Sequence, residues 1–197
     1  ALIGKNGAGK STLLKCCTQE LWYNGQITIN NKCVKSDFNS IRGNVGYCPQ
    51  NHLLLEELTV SENLEFFMSS SNHNELVNYL ESFKLIQYKD VKVMNLSGGN
   101  KRKLNFAIAY INNKDLILLD EPTTGVDPEA RKAIWTYIYN QMSNKVTFLV
   151  THSMEEAEIL CDYISWIRMG YFTLSGNTEE LRANHSQGYL VEYEVNG

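Results

Sequence analysis

The most evident chemistry lies near the start of the chain, in Gly4-Lys5-Asn6-Gly7-Ala8-Gly9-Lys10-Ser11-Thr12. These residues satisfy the pattern G-x-x-x-x-G-K-[ST] at every fixed position. Holding a triphosphate requires backbone N–H groups turned inward at close range, which residues without a Cβ allow. A helix starting near Lys10 adds the positive end of its dipole. In such a loop the lysine, here Lys10, reaches the β- and γ-phosphates, and the Ser11 hydroxyl is a ligand for Mg²⁺. Apolar Ala1-Leu2-Ile3 before the loop and Leu13-Leu14 after it give the strand–loop–helix context the pattern needs. The loop is read as a nucleotide site.

Two further stations fit that chemistry. Leu116-Ile117-Leu118-Leu119 is a continuous apolar run suited to a parallel strand buried on both faces, and Asp120-Glu121 follow it directly. Ligands of open α/β sheets bind beyond the carboxyl ends of such strands, which places both acids at the phosphates. Asp120 can hold Mg²⁺ through its water shell, and Glu121 can orient and deprotonate the attacking water. Without the phosphate loop, Asp-Glu-Pro would be an ordinary polar turn. The other station is Leu96-Ser97-Gly98-Gly99-Asn100, a hydroxyl and two glycines at an expected helix start. It is a second anion receptor by the same physics, and taken alone it is a plain serine-glycine loop. Two phosphate receptors with one Mg²⁺ site imply that the second serves a nucleotide held by another copy or a homologous domain.

The elements that must position these stations alternate in type. A helix is expected over 10–18 and an alternating strand over 26–29, with Asn30-Asn31 turning it back toward Cys33-Val34. A short strand over 45–48 is stopped by Pro49. From 51 to 112 the pattern is helical. Thr59-x-x-Glu62 reads as a capping box opening one helix through Leu64, Phe67 and Met68. Leu76, Leu80 and Phe83 mark a second helix, and Leu104, Ile108 and Ile111 a third. Beyond the strand at 116–119 come a helix over 128–142 and a buried strand over 146–150. Ser153-x-x-Glu156 caps a helix ending near Cys161. A hairpin of 163–168 and 171–175 turns at Met169-Gly170, and a last alternating strand covers 189–195. The sum is an α/β nucleotide-binding core interrupted by a helical insertion.

At 197 residues, 43% of them hydrophobic, the chain suffices for one sizeable core. Its net charge of −4 gives no global pull toward nucleic acid or anionic membrane. No apolar run approaches the about 18 residues of a membrane span, and none of these residues reads as a signal peptide. The chain opens inside an expected strand, so further residues are expected upstream. Cys16, Cys17, Cys33, Cys48 and Cys161 lack metal-type spacing, and His52, His73 and His152 form no cluster with them. Reduced, buried thiols of a cytosolic domain are expected.

With these motifs in order, the chain resembles the nucleotide-binding domain of an ATP-binding cassette (ABC) transporter over nearly its whole length. The motifs are the phosphate loop, a glutamine loop (Tyr47-Cys48-Pro49-Gln50), the signature LSGGN at 96–100, LILLDE at 116–121, a D-loop ending at Asp127, and a switch histidine, His152. The phrases GYCPQ, GNKRK and HSMEEAE are similar to those of the A subfamily, whose members typically move lipids. The resemblance implies a P-loop NTPase of RecA-like fold with a parallel sheet, an inserted helical subdomain, and an antiparallel β subdomain left incomplete because its N-terminal strands lie upstream. It divides the chain into a core at 1–50 and 113–187, a helical signature subdomain at 51–112, and the start of a C-terminal regulatory segment at 188–197.

The same resemblance implies ATP and Mg²⁺ as cofactors, with Glu121, His152 and Gln50 catalytic. The nucleotide would lie against Gly4, Asn6, Gly7, Ala8, Gly9, Lys10, Ser11 and Thr12. Ser97, Gly98, Gly99, Asn100 and Asp127 would meet the nucleotide of a partner domain. Ser11, Gln50 and Asp120 would serve the metal. Unaided, Gln50 reads as a solvated glutamine, His152 as a structural histidine, and Asp127 as the N-cap of the helix starting at Pro128. Implied partners are a second nucleotide-binding domain, transmembrane domains with coupling helices, and a lipid substrate reached through them, with no nucleic acid. The domain would lie on the cytoplasmic face of a membrane. Leu53-Leu54-Leu55 to Leu58 reads equally as a groove for a coupling helix or as core packing.

Asn100 stands where most ABC proteins have glutamine, and the adenine-stacking aromatic of the family would lie upstream, so the choice of ATP over GTP is not carried by these residues. Upstream strands would also cover a sheet edge, without which the isolated chain is expected to be poorly soluble. Two other readings share the motifs: a soluble ABC ATPase of DNA repair or translation, and a binding-only partner domain. The stretch between Gln50 and Leu96 lacks the sustained heptads of the repair class. Intact Glu121 and His152 count against a binding-only domain.

Overall fold

The computed structural model describes residues 1–69, 72–141 and 145–185. The elements in order are β1 (Leu2–Ile3), α1 (Lys10–Cys17), β2 (Thr28–Ile29), β3 (Lys32–Cys33), α2 (Val34–Ile41), β4 (Val45–Cys48), α3 (Val60–Phe67), α4 (His73–Ser82), α5 (Gly98–Tyr110), β5 (Leu116–Asp120), α6 (Pro128–Gln141), β6 (Val146–Thr151), α7 (Met154–Leu160), β7 (Tyr163–Arg168), β8 (Tyr171–Asn177) and α8 (Thr178–His185).

Six strands form one sheet in the order β4-β5-β6-β1-β7-β8, and β2 with β3 makes a separate hairpin. The pairs β4/β5, β5/β6, β6/β1 and β1/β7 are parallel, while β8 returns antiparallel to β7. The register aligns the carboxyl ends: Cys48 stands opposite Leu119, Asp120 opposite Val150, and Ile3 opposite Thr151. The segments that leave β1, β4, β5 and β6 therefore emerge along one sheet edge. The fold is the α/β class expected, with a mostly parallel sheet between helices.

The helices at 60–110 are held to the sheet by the same apolar cluster that holds α6. Leu64, Leu80, Phe83, Leu104, Phe106, Tyr110, Ile117, Ile134 and Ile138 are all buried in it. At its centre Phe83, Phe106, Tyr110 and Tyr137 stack with ring centroids 4.4 to 6.0 Å apart. Burial there pushes the Tyr137 phenol up to about 12. Helix α5 crosses β4 at Gly46, where a Cβ would stand 1.9 Å from the Ala109 carbonyl oxygen. Only glycine admits that approach.

Several local expectations need correction. The strand over 26–29 shrinks to Thr28–Ile29, and Val34 starts a helix rather than continuing a strand. The Asp37 carboxylate accepts the Cys33 N–H, fixing the turn, while Val34 and Ile41 point into the core. Helix α8, which no periodicity announced, starts where the Asn177 side chain accepts the Glu179 N–H. Thr59 and Glu62 do form a full capping box. At Ser153 only half of one exists: its hydroxyl accepts the Glu156 N–H, but the Glu156 carboxylate turns inward. Of the cysteines, all free, Cys16 and Cys48 are buried and the other three are half-buried. The strand expected over 189–195 lies outside the described residues.

Candidate nucleotide site

Strand β1 delivers the phosphate loop to the sheet edge. Gly7 and Gly9 adopt φ of 79° and 107°, the left-handed region that a Cβ disfavours. Gly4 packs so tightly on β7 that a Cβ would meet the Ile167 carbonyl oxygen at 2.5 Å. The Gly170 N–H at the hairpin tip donates to the Ala8 carbonyl at 2.9 Å and props the loop from outside. Asn6, Gly7 and Thr12 face solvent, Ala8 and Lys10 are buried, and Gly9 caps α1 without a side chain.

Lys10 is the pivot of this cluster. Its Nζ donates to the carbonyls of Gly4 (2.8 Å) and Lys5 (3.2 Å) and lies 3.8 Å from Oε1 of Glu121. Ser11 Oγ donates to Asp120 Oδ1 at 3.0 Å. Burial raises the Asp120 carboxyl above the usual range; the Ser11 hydrogen bond opposes this, and the neighbouring Glu121 charge adds to it. Glu121 has φ of 48°, which swings its side chain away from that of Asp120. Its Oε2 accepts from Thr124 Oγ1 (3.1 Å) and from Gln50 Nε2 (3.4 Å), and His152 Nδ1 stands 3.4 Å away. Gln50, Lys10, Glu121 and His152 thus converge, although they follow four different strands or loops.

Ser11 Oγ and Asp120 Oδ1 are hard oxygen donors at close range, a pairing that suits Mg²⁺, which binds few protein ligands and keeps several waters. The Gln50 amide nitrogen is committed to Glu121. Among the described residues no cluster of three or more His, Cys, Asp or Glu side chains forms a richer metal site.

The second receptor stands apart. Ser97 caps α5 by accepting the Asn100 N–H at 3.3 Å; Ser97 and Gly98 are exposed, Gly99 and Asn100 half-buried. Asp127 Oδ1 accepts the N–H groups of Glu129 and Ala130 at 3.0 Å, so Asp127 is the N-cap of α6. Its other oxygen would lie 3.5 Å from a Cβ at Gly99, which makes Asp127 and the receptor neighbours. Among the described residues no hydrogen bond joins 97–100 or Asp127 to the Lys10–Glu121 cluster.

Two residues beside the site carry no catalytic or binding role in the sequence. Arg102, 3% exposed, sends its guanidinium between the ends of β4 and β5. Glu156, fully buried, accepts from Thr123 Oγ1 (2.8 Å) and Trp135 Nε1 (3.0 Å). In sequence Arg102 sits among charged neighbours and reads as a solvated charge, whereas Glu156 reads as the return partner of the Ser153 cap. Helical register was the signal available for Arg102, since it shares a face with buried Asn105, Phe106 and Ala109.

A family model described as ABC transporter matches residues 1–124. The human retinal-specific phospholipid-transporting ATPase ABCA4 is 36% identical over 202 residues, covering 98% of this chain and 9% of that protein. Other A-subfamily members match at 34–37% identity. The chain spans between 8% and 12% of the length of these relatives. Among solved structures, an ATP-binding subunit of an ABC transporter superposes with a TM-score of 0.83 at 28% identity, covering 94% of this chain and 80% of the other. A dimeric ATP-binding cassette bound to ADP and Pi superposes at 0.80 with 24% identity, covering 90% and 84%.

Proposed function

Since the chain belongs to the ABC transporter family, with similarity to its A subfamily, we propose that it binds and hydrolyses ATP with Mg²⁺ to drive lipid movement across a membrane. The observation that carries this reading is the convergence of Lys10, Gln50, Glu121 and His152 at one sheet edge. The lipid cargo is supported by the phospholipid-transporting relative. Among the described residues no helix is long and apolar enough to cross a membrane, so the membrane path would belong to other segments or chains.

In this reading the phosphate-loop N–H groups and Lys10 bind the β- and γ-phosphates and stabilise the charge of the transition state. Mg²⁺, held by Ser11 and Asp120 with Gln50 near, would neutralise phosphate charge. Glu121 accepts the proton of the attacking water, oriented by Gln50, and His152 contacts the γ-phosphate. Lys10 now pairs with Glu121 and with loop carbonyls. Transferring its ammonium to a phosphate would free the Glu121 carboxylate for water.

Among the described residues no hydrogen bond ties Ser97, Gly98, Gly99, Asn100 or Asp127 to this cluster, and Ser97 and Gly98 are exposed, which supports their use on the nucleotide of a second domain paired head to tail. Hydrolysis then removes the charge bridging two domains, and the separation moves attached membrane helices. The division into a core at 1–50 and 113–187, a signature subdomain at 51–112 and a regulatory start at 188–197 belongs to the same proposal, as does a cytoplasmic-face location. Leu53 is exposed while Leu54 packs on the core, so the leucine run divides between a coupling-helix groove and packing.

The experiment is Glu121→Gln in the intact protein. Turnover falls by about 10²- to 10⁴-fold, the usual scale for a lost general base, while ATP-dependent pairing persists. Unchanged hydrolysis would remove Glu121 from its role.

A further inference from the structure

Arg102 uses every donor it has, and every acceptor is a backbone carbonyl. Nε donates to Pro122 (2.9 Å), Nη1 to Pro49 (2.8 Å) and Gln50 (2.9 Å), and Nη2 to Asp120 (2.7 Å) and Glu121 (2.5 Å). A guanidinium carries five N–H donors in a fixed plane, so the set is complete. Among the described residues no carboxylate forms a salt bridge with it. A buried cation normally demands a counter-charge; here five carbonyl dipoles from two segments supply direct compensation, and the nearby Asp120 carboxyl feels the same guanidinium electrostatically. Those segments are the ones that present Gln50 and Glu121, whose side chains meet at 3.4 Å. Asn105, one turn further along α5, donates to the Pro49 carbonyl at 3.2 Å and strengthens the same hold.

We propose that Arg102 is a positioning residue for hydrolysis, a clamp that fixes the peptides of Gln50 and Glu121 so that both side chains address one water. The inference rests on the reading of Glu121 as the base. Glu121 has positive φ, a conformation that its own side chain disfavours and that needs outside support. The clamp rides on the helix whose first turn is the Ser97-Gly98-Gly99 receptor. A shift of α5 when that receptor engages a nucleotide would therefore reach Gln50 and Glu121 of the same domain through rigid contacts. Lysine cannot replace the clamp, because an ammonium has three donors and no planar fork.

The test measures ATP hydrolysis against ATP concentration in the intact protein for Arg102→Lys, Arg102→Met, Gln50→Ala and the Arg102→Lys/Gln50→Ala double variant. Arg102→Lys should lower kcat by about 10- to 100-fold, the scale of a roughly 1 Å misplacement, with KM within about twofold of wild type. The double variant should fall little below Arg102→Lys alone, since both changes disable one arrangement. A wild-type kcat for Arg102→Lys, a raised KM with unchanged kcat, or losses that multiply in the double variant would overturn the proposal. If Arg102→Met fails to fold, Arg102→Lys carries the test. If Arg102→Lys also loses ATP binding and melts early, the residue is structural and the proposal fails. Glu121→Gln run in parallel separates the two claims, because turnover in that variant would sink the base assignment whatever Arg102 does.

Discussion

The Ser11 hydroxyl donates to Asp120 Oδ1 at 3.0 Å across 109 residues of sequence. The contact exists because α1 starts over the carboxyl end of β5, with β6 spacing that strand from β1. It fixes two hard oxygens at the sheet edge, one of them on a carboxyl that burial makes reluctant to ionise.

Ser11→Ala should therefore act through the metal. The variant loses one oxygen ligand and the hydrogen bond that offsets Asp120 burial. Turnover at low Mg²⁺ should fall by about 10²-fold, the scale of one lost electrostatic contact, and the Mg²⁺ concentration giving half-maximal rate should rise. A Mg²⁺ titration of hydrolysis checks this, and an unshifted midpoint would separate Ser11 from the metal.

Glu156 should prove a structural tie between the segment after β5 and the two helices beside it. Glu156→Ala strands the Thr123 hydroxyl and the Trp135 indole N–H without their acceptor. Destabilisation of about 3 kcal/mol is expected from two such orphaned donors, seen as a lower melting transition. Glu156→Gln retains an acceptor oxygen and should keep most of the stability. Equal losses in both variants would contradict this account.

The cysteines should label in a fixed order. The half-buried Cys33 caps α2, and the backbone N–H groups of Ser36 and Lys35 lower its thiol pKa. Burial pushes Cys48 up to about 11. Thiolate is the reacting form, so as pH rises Cys33 reaches its full alkylation rate first, while Cys48 stays a thiol until pH nears its raised value. Mass spectrometry after brief iodoacetamide treatment at about pH 7.5 should find Cys33 modified first and Cys48 last; the reverse order would count against both assignments.

What sequence could reveal followed from how local the cause is. The phosphate loop, LSGGN and the acids Asp120 and Glu121 at the end of β5 declare themselves because their chemistry sits in contiguous residues. The capping box at Thr59 and the apolar stripe Leu76–Leu80 are legible for the same reason. Arg102 was hidden in Lys101-Arg102-Lys103, where only the folded register tells one inward charge from two with more solvent. Glu156 reads as the return partner of a capping box, and two tertiary donors, the Thr123 hydroxyl and the Trp135 indole N–H, overrode that local bond. Strand order was hidden as well. β1 has two residues and lies between strands more than 140 positions away in sequence, pairings that no local pattern encodes.

The most direct measurement places a photo-crosslinking residue at Asn100 in the intact Glu121→Gln protein and maps its adducts by mass spectrometry. With ATP and Mg²⁺ the account predicts a crosslink to the phosphate-loop peptide of a second nucleotide-binding domain, lost when ADP replaces ATP. Adducts confined to the same domain, or identical with ATP and ADP, would contradict the shared site.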